Sequence, residues 1–376
     1  MSVLPRPVPA HVRGPAGPVP RSSWSAAPEP AAAMAALRWL TFVPVAAVTG
    51  LLLLSVVAPG AARTVAVPLA VVGALVGVPH GAVDHLIPWW WGGSVPGAGR
   101  GPVAIGLFGL AYAGVAALAL TAFLFVPTPA LVAFLVLSAL HFGRGEVATS
   151  AERAGRPAPG FRTDQLISLA HGLVVVGMLL WARPAQVGPL LRPLSPWLAD
   201  ASTRSRPVGL VLVAAVVLAG LVVLLRAGRR GEAAELGLLA VTFTVAPPLA
   251  AFGVYFGAWH ALRHTGRLLD LARGRRMATG HPDRGWGPSG ALLARAAALP
   301  TLGALATMVA LFLARDLASL QAEVGVLLAL TFPHAAVVWA LDRHESLDRH
   351  DAGDRPVEAG NRWPVRAPVP APVRRS

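Results

Sequence analysis

VAVPLAVVGALVGVPHGAVDHLI, residues 65–87, decides the fold. The run stays apolar over the ~20 residues that a helix needs to cross a bilayer. Its only ionisable side chains are His80, Asp84 and His85. Pro79 has no N–H to donate, so it frees the carbonyl of Leu75 and the helix is expected to bend there. Gly81 carries no Cβ and lets a neighbouring helix or a ligand come close. His80 and His85 are separated by about 140° around a straight helix. They cannot face one point unless the helix bends or ends.

Similar apolar runs lie on both sides, at 37–58, 102–126, 128–147, 165–182, 207–226, 234–264, 291–314 and 322–341. The 234–264 run is too long for one upright helix, and Pro247-Pro248 interrupts it. It reads as one kinked helix or as two short ones meeting in the membrane. Eight to ten passes follow. The expected fold is an all-α, polytopic integral membrane helical bundle. Residues 37–343 form its one candidate catalytic domain, between disordered Pro/Arg-rich tails at 1–36 and 344–376. Trp89-Trp90-Trp91 follows a helix end and reads as an interfacial aromatic anchor.

Composition agrees. Of the 376 residues, 55% are hydrophobic and 13% charged, against about 25% charged in a soluble domain. A soluble fold could not be given a polar exterior from this supply. The net charge of +14 comes entirely from arginine. The arginines concentrate in tails and connections, which points to anionic lipid headgroups rather than nucleic acid. They fall on both sides of any simple threading, so orientation stays undetermined. There is no cysteine. Disulfides, thiolate metal sites, iron–sulfur clusters and thiol nucleophiles are excluded, and any metal must be held by His, Asp or Glu.

Eleven histidines are present. His11, His281, His344 and His350 lie in tails or connections and read as solvated. His171, alone in its run, reads as a structural group bonding across to another helix. The other six fall in four motifs. GVPHGAVDH (77–85) holds His80, Asp84 and His85. SALHFG (138–143) holds His141, roughly a dozen residues into its run and so near mid-membrane depth; Glu146 follows it. WHALRH (259–264) sets His260 and His264 at i, i+4, on one helix face, a spacing that suits two metal ligands. FPH (332–334) again places a proline before an intramembrane histidine. An unpaired polar group in hydrocarbon is costly, so such residues on several helices read as a functional set. His80, His141, His260 and His264 are the candidate metal ligands. Asp84, His85, Glu146 and His334 are candidates to support them. Phe142, Tyr255, Phe256 and Trp259 are candidates to line a substrate path, by proximity in sequence.

Three or four neutral imidazoles without thiolate suit Zn, Cu, Ni or Fe. With these four motifs in this order, residues 65–343 resemble the Brp/Blh-type membrane β-carotene 15,15′-dioxygenases of bacteria and archaea. The resemblance implies an Fe(II) enzyme of the cell membrane that uses O₂ to cleave β-carotene into two molecules of all-trans-retinal. His80, His141, His260 and His264 would hold the iron, and a rhodopsin would be a recipient of the product. The chain departs from the pattern after HFG, where Glu146 stands in the neighbourhood of an expected Asp. Three other classes compete. A b-type haem protein would need paired histidines on facing helices. A metal or proton transporter would use them as a relay, though no internal repeat is visible. A desaturase-like di-iron enzyme would need more histidines.

Overall fold

The computed structural model describes residues 30–90, 102–154, 156, 163–278, 281–313, 325–326 and 328–343. Among them every regular element is helical. Residues 1–29 and 344–376, most of the two expected tails, lie outside the described residues, as does Trp91. The first helix, α1 (Pro30–Val57), starts inside the stretch expected to be tail. Pro30 has the backbone suited to a first helical position, and the alanines after it are strong helix formers.

After α1 come α2 (Ala66–Gly81), α3 (Pro102–Phe125), α4 (Pro127–Arg153), α5 (Thr163–Gly172), α6 (Arg206–Arg226) and α7 (Arg230–Val245). Then follow α8 (Pro248–Val254), α9 (Leu262–Ala278), α10 (Gly287–Leu313) and α11 (328–343). The 234–264 run is therefore two helices, broken before Pro248. Six described segments are long and apolar enough to cross a membrane: Ala66–Leu86, Val103–Phe125, Pro127–Arg153, Thr163–Trp181, Arg206–Arg226 and Gly287–Thr307. The expected eight to ten differ from this because Thr41–Val57 is shorter, the 234–264 run is broken, and part of 322–341 lies outside the described residues.

The helices differ in how far they face lipid. None of the most apolar window of Val103–Phe125 is buried, whereas 56% of that of Thr163–Trp181 is. Leu107, Leu110 and Leu118 on α3, and Val208, Val211 and Leu218 on α6, point outward. A soluble monomer does not show so much exposed apolar surface, and a bilayer solvates it directly.

The central contact is between α2 and α8, continued by the segment Tyr255–Ala261. A methyl group at Gly73 would collide with the carbonyl of Gly253, and one at Gly253 with the backbone of Leu69 and Ala70. Such glycine contacts bring helix backbones together where lipid gives no hydrophobic drive for association. Tyr255–Ala261 is a π-helix of 7 residues. This form is rare and usually marks a functional site.

Candidate metal centre

His80 stands one residue before the end of α2. Its Nδ1 donates to the carbonyl of Gly77 in its own helix. The helix stops at Gly81, and a 3-10 turn follows over Asp84–Leu86. This ending answers the spacing problem of the first motif. His80 points into the bundle interior, and Asp84 is re-aimed at α11. There His334 Nδ1 donates to Asp84 Oδ2 at 2.9 Å. A Cβ at Gly81 would stand 3.3 Å from that same nitrogen, so the glycine admits the His334 ring.

Five buried imidazoles meet here. The ring of His80 lies 4.8 Å from that of His334, 5.5 Å from His260 and 5.5 Å from His264, all edge to face. His141 lies 5.0 Å from His260 and 5.1 Å from His334. His264 lies 5.7 Å from His334. His260 and His264 stack 6.4 Å apart with planes 10° from parallel, so the one-face expectation holds across the change from π to α geometry.

The nitrogens decide what the cluster can do. His80 Nε2, His264 Nε2 and His334 Nε2 are buried with no hydrogen-bond partner. Each such group costs about 1–3 kcal/mol. Because Nδ1 of His80 and of His334 each faces an oxygen acceptor, each keeps its proton there and presents an Nε2 lone pair, the tautomer that a metal requires. His141 Nε2 and His260 Nε2 are 3.2 Å apart. Two imidazole nitrogens ~2.1 Å from one ion, in octahedral or tetrahedral arrangement, stand about 3.0–3.4 Å apart. The donors fit a divalent transition metal by type, His80 and His334 also by tautomer, and the His141–His260 pair by spacing. Among the described residues, no three or more donors already surround a common metal position. Small inward rotations of rings in contact would have to complete a shell.

The other candidates fall elsewhere. His85 is half-buried, with Nδ1 3.1 Å from the Ala82 carbonyl oxygen. His171 bonds the carbonyl of Ile167 in its own helix at 2.9 Å, not a neighbouring helix. Glu146 bonds other partners than the imidazoles. Its carboxylate accepts from Tyr255 OH at 3.3 Å, Trp259 Nε1 at 3.0 Å and Arg263 Nη1 at 2.8 Å. Arg263 also reaches Glu235 at 3.0 Å, which pairs with Arg153 at 2.9 Å. Tyr255 and Trp259 are fully buried with their polar ends engaged by Glu146, so both belong to this network. Phe142 packs 4.8 Å from His260, and Phe256 packs 5.6 Å from His80. A cavity of ≈ 10 Å³ lies between cluster and network, lined by His141, Gly145, Glu146, His260, Arg263 and His264 among others. It has about the room for one water.

Sequence reading passed over Arg263, Glu235 and Tyr112, whose OH donates to Asp84 Oδ2 at 3.1 Å. A signal existed for two of them. Arg263 is an ionisable residue inside an apolar run, and Tyr112 is one of only 2 tyrosines in the chain and lies inside another.

The fold and site together define a class: a polytopic helical membrane protein with a buried, cysteine-free imidazole centre. A family model described as β-carotene 15,15′-dioxygenase matches residues 70–342. The probable β-carotene 15,15′-dioxygenase Blh of Halobacterium salinarum is 32% identical over 308 residues, covering 73% of this chain and 84% of that protein. No solved structure matches the chain. The chain belongs to the β-carotene 15,15′-dioxygenase family, which are enzymes of the dioxygenase class.

Proposed function

We propose that this chain is a β-carotene 15,15′-dioxygenase of the cell membrane that holds Fe(II) on His80, His141, His260 and His264. The observation that carries the reading is the set of converging buried imidazoles with unpartnered Nε2 atoms in a member of this family. In the reaction the central C=C bond breaks, and the two atoms of O₂ become the two aldehyde oxygens of two all-trans-retinal molecules. Bound Fe(II) would supply O₂ activation, which no side chain of this protein can provide alone.

The chain's own residues position and exclude. The cavity of ≈ 10 Å³ admits a molecule the size of water or O₂ and no polyene. The carotenoid therefore has to approach from another side. Phe256 and Phe142 do not line that cavity and pack on the imidazoles. They are the aromatic residues suited to meet an apolar chain entering from the bilayer. Glu146, fixed by three donors, holds the helix of His260 and His264 in rotation. Burial keeps bulk water from the reacting carbons. Retinal released into the same bilayer is available to a rhodopsin.

A haem reading fits less well. Its macrocycle has to lie between two axial histidines, and these rings touch edge to face. The test is expression in bacterial cells that make β-carotene, with retinal measured by chromatography beside a His260→Ala/His264→Ala control. Retinal only with the unsubstituted chain is the expected result. Unchanged carotene, with iron supplied and the protein folded in the membrane, would refute the reading.

A further inference from the structure

We infer that His334 is itself a metal ligand, the fifth imidazole of the centre, and that Asp84 and Tyr112 are positioning residues that aim it. The inference rests on the proposed iron site and enlarges its donor set.

Three observations carry it. His334 is in ring contact with His80, His141 and His264, three of the four proposed ligands, including the shortest ring separation in the cluster, 4.8 Å to His80. A residue that merely supported a ligand would bond that ligand's distal nitrogen. His334 instead turns its own distal nitrogen to Asp84 and leaves Nε2 buried without a partner. That is the arrangement in which a carboxylate orients a ligating imidazole and fixes its tautomer.

The third observation concerns the partners of Asp84. The residue is 2% exposed and sits at the end of a membrane-spanning segment. Its bonding partners are His334 and the hydroxyl of Tyr112, and among the described residues no guanidinium bonds it. Its Oδ1 has no hydrogen-bond partner. The buried carboxylates Glu146 and Glu235 are answered by arginines. A buried carboxyl group with an unpartnered oxygen is costly, the more so when ionised. A cation on Nε2 of His334 would offset that cost through the ring, because a metallated imidazole is a stronger donor at Nδ1.

The experiment uses the full-length chain purified in detergent. Iron per protein is measured by elemental analysis, and the imidazole count by X-ray absorption on the iron-loaded protein. The variants are His334→Ala, Asp84→Asn and Tyr112→Phe. In His334→Ala the imidazole count should fall by one, and free imidazole added to the variant should restore it. Asp84→Asn should weaken iron affinity by about 10–100-fold, and Tyr112→Phe by less. Folding of each variant is checked by its thermal transition. Should His334→Ala not fold, the Asp84→Asn affinity and the imidazole count of the unsubstituted protein carry the test. A count of four, or iron affinity unchanged in Asp84→Asn, would overturn the inference and leave the four-histidine site standing. Absence of iron from the unsubstituted protein would overturn both.

Discussion

One helical stretch, Tyr255–Arg267, borders two regions built on opposite terms. His260 and His264 face a cluster of neutral rings with nitrogens left over. Trp259 and Arg263 face Glu146, in a network whose charges alternate: Arg153, Glu235, Arg263, Glu146. Arg263 also lies 4.0 Å above the Trp259 ring. The ionic side pairs its charges, although Arg263 Nε and Nη2 have no hydrogen-bond partner, and it fixes how the stretch is rotated. The imidazole side is incomplete, so it has a use for a ligand. A protein with only the first would be rigid and inert. One with only the second would carry the cost of several unpartnered buried groups with nothing to hold them in place.

The largest way to break this division is on the imidazole side. His260→Ala/His264→Ala should lower retinal formation and bound iron by more than about 100-fold, since even a residue that supports a ligand is worth 10–100-fold. The thermal transition of the iron-free double variant should stay close to that of the iron-free parent. A collapse of that transition would mean that the two sides are not separable. Adding Fe(II) should raise the transition of the parent and leave that of the double variant unmoved.

Arg263→Ala attacks the other side. It leaves Glu146 and Glu235 buried without their shared cation, at a cost of about 3–5 kcal/mol, read as a lowered unfolding free energy in detergent. Replacing Arg263 by Met together with Glu146→Gln and Glu235→Gln should recover much of it, because removal of all the charges removes the desolvation cost as well. No recovery would show that the network does more than balance itself. Glu146→Gln alone should be milder, about 1–3 kcal/mol, since Glu235 still pairs Arg263, and iron should be retained. Loss of iron in a folded Glu146→Gln protein would place this carboxylate in the centre after all.

The smallest effect is expected outside the membrane segments. Asp283 is paired with Arg273 through two oxygens, at 2.8 Å for the Nε contact. The pairing holds its carboxyl below the usual carboxylate range, with a further bond from the Gly285 N–H. A lowered folded-state value gives stability that is present above the ordinary carboxylate pKa and is lost as the pH falls through the lowered one. Asp283→Asn should therefore shift the thermal transition slightly at neutral pH and not at all in strong acid. An equal shift at both would mean that charge is not the cause.

The sequence made the apolar runs, the break at Pro247-Pro248 and the shared face of His260 and His264 legible, because these depend on residues near one another in the chain. The site was legible in part. The imidazole cluster could be expected because histidines in hydrocarbon ask for partners. Which one joins which could not, since the Asp84–His334 bond spans 250 positions and the Glu146–Arg263 bond spans 117. Arg263 sat inside a quoted motif and was passed over, because the reading looked for metal donors and a guanidinium is none. The π turn leaves no mark in composition. Six of the expected spans are long and apolar enough among the described residues, and Thr41–Val57 is a shorter apolar helix.

The π-helical turn at Tyr255–Ala261 also bears on how this lineage can change its length. Loss of one residue there would remove the extra residue that makes the turn wide and return it to α geometry. His260 lies within this turn, so its placement against His141 and His80 would change. Loops such as that around Gly285, where the backbone adopts φ 70°, hold none of the clustered imidazoles and can gain or lose residues at less cost. The seven residues of the π turn cannot, so relatives that keep the chemistry should show alignment gaps in the connections and none across this turn.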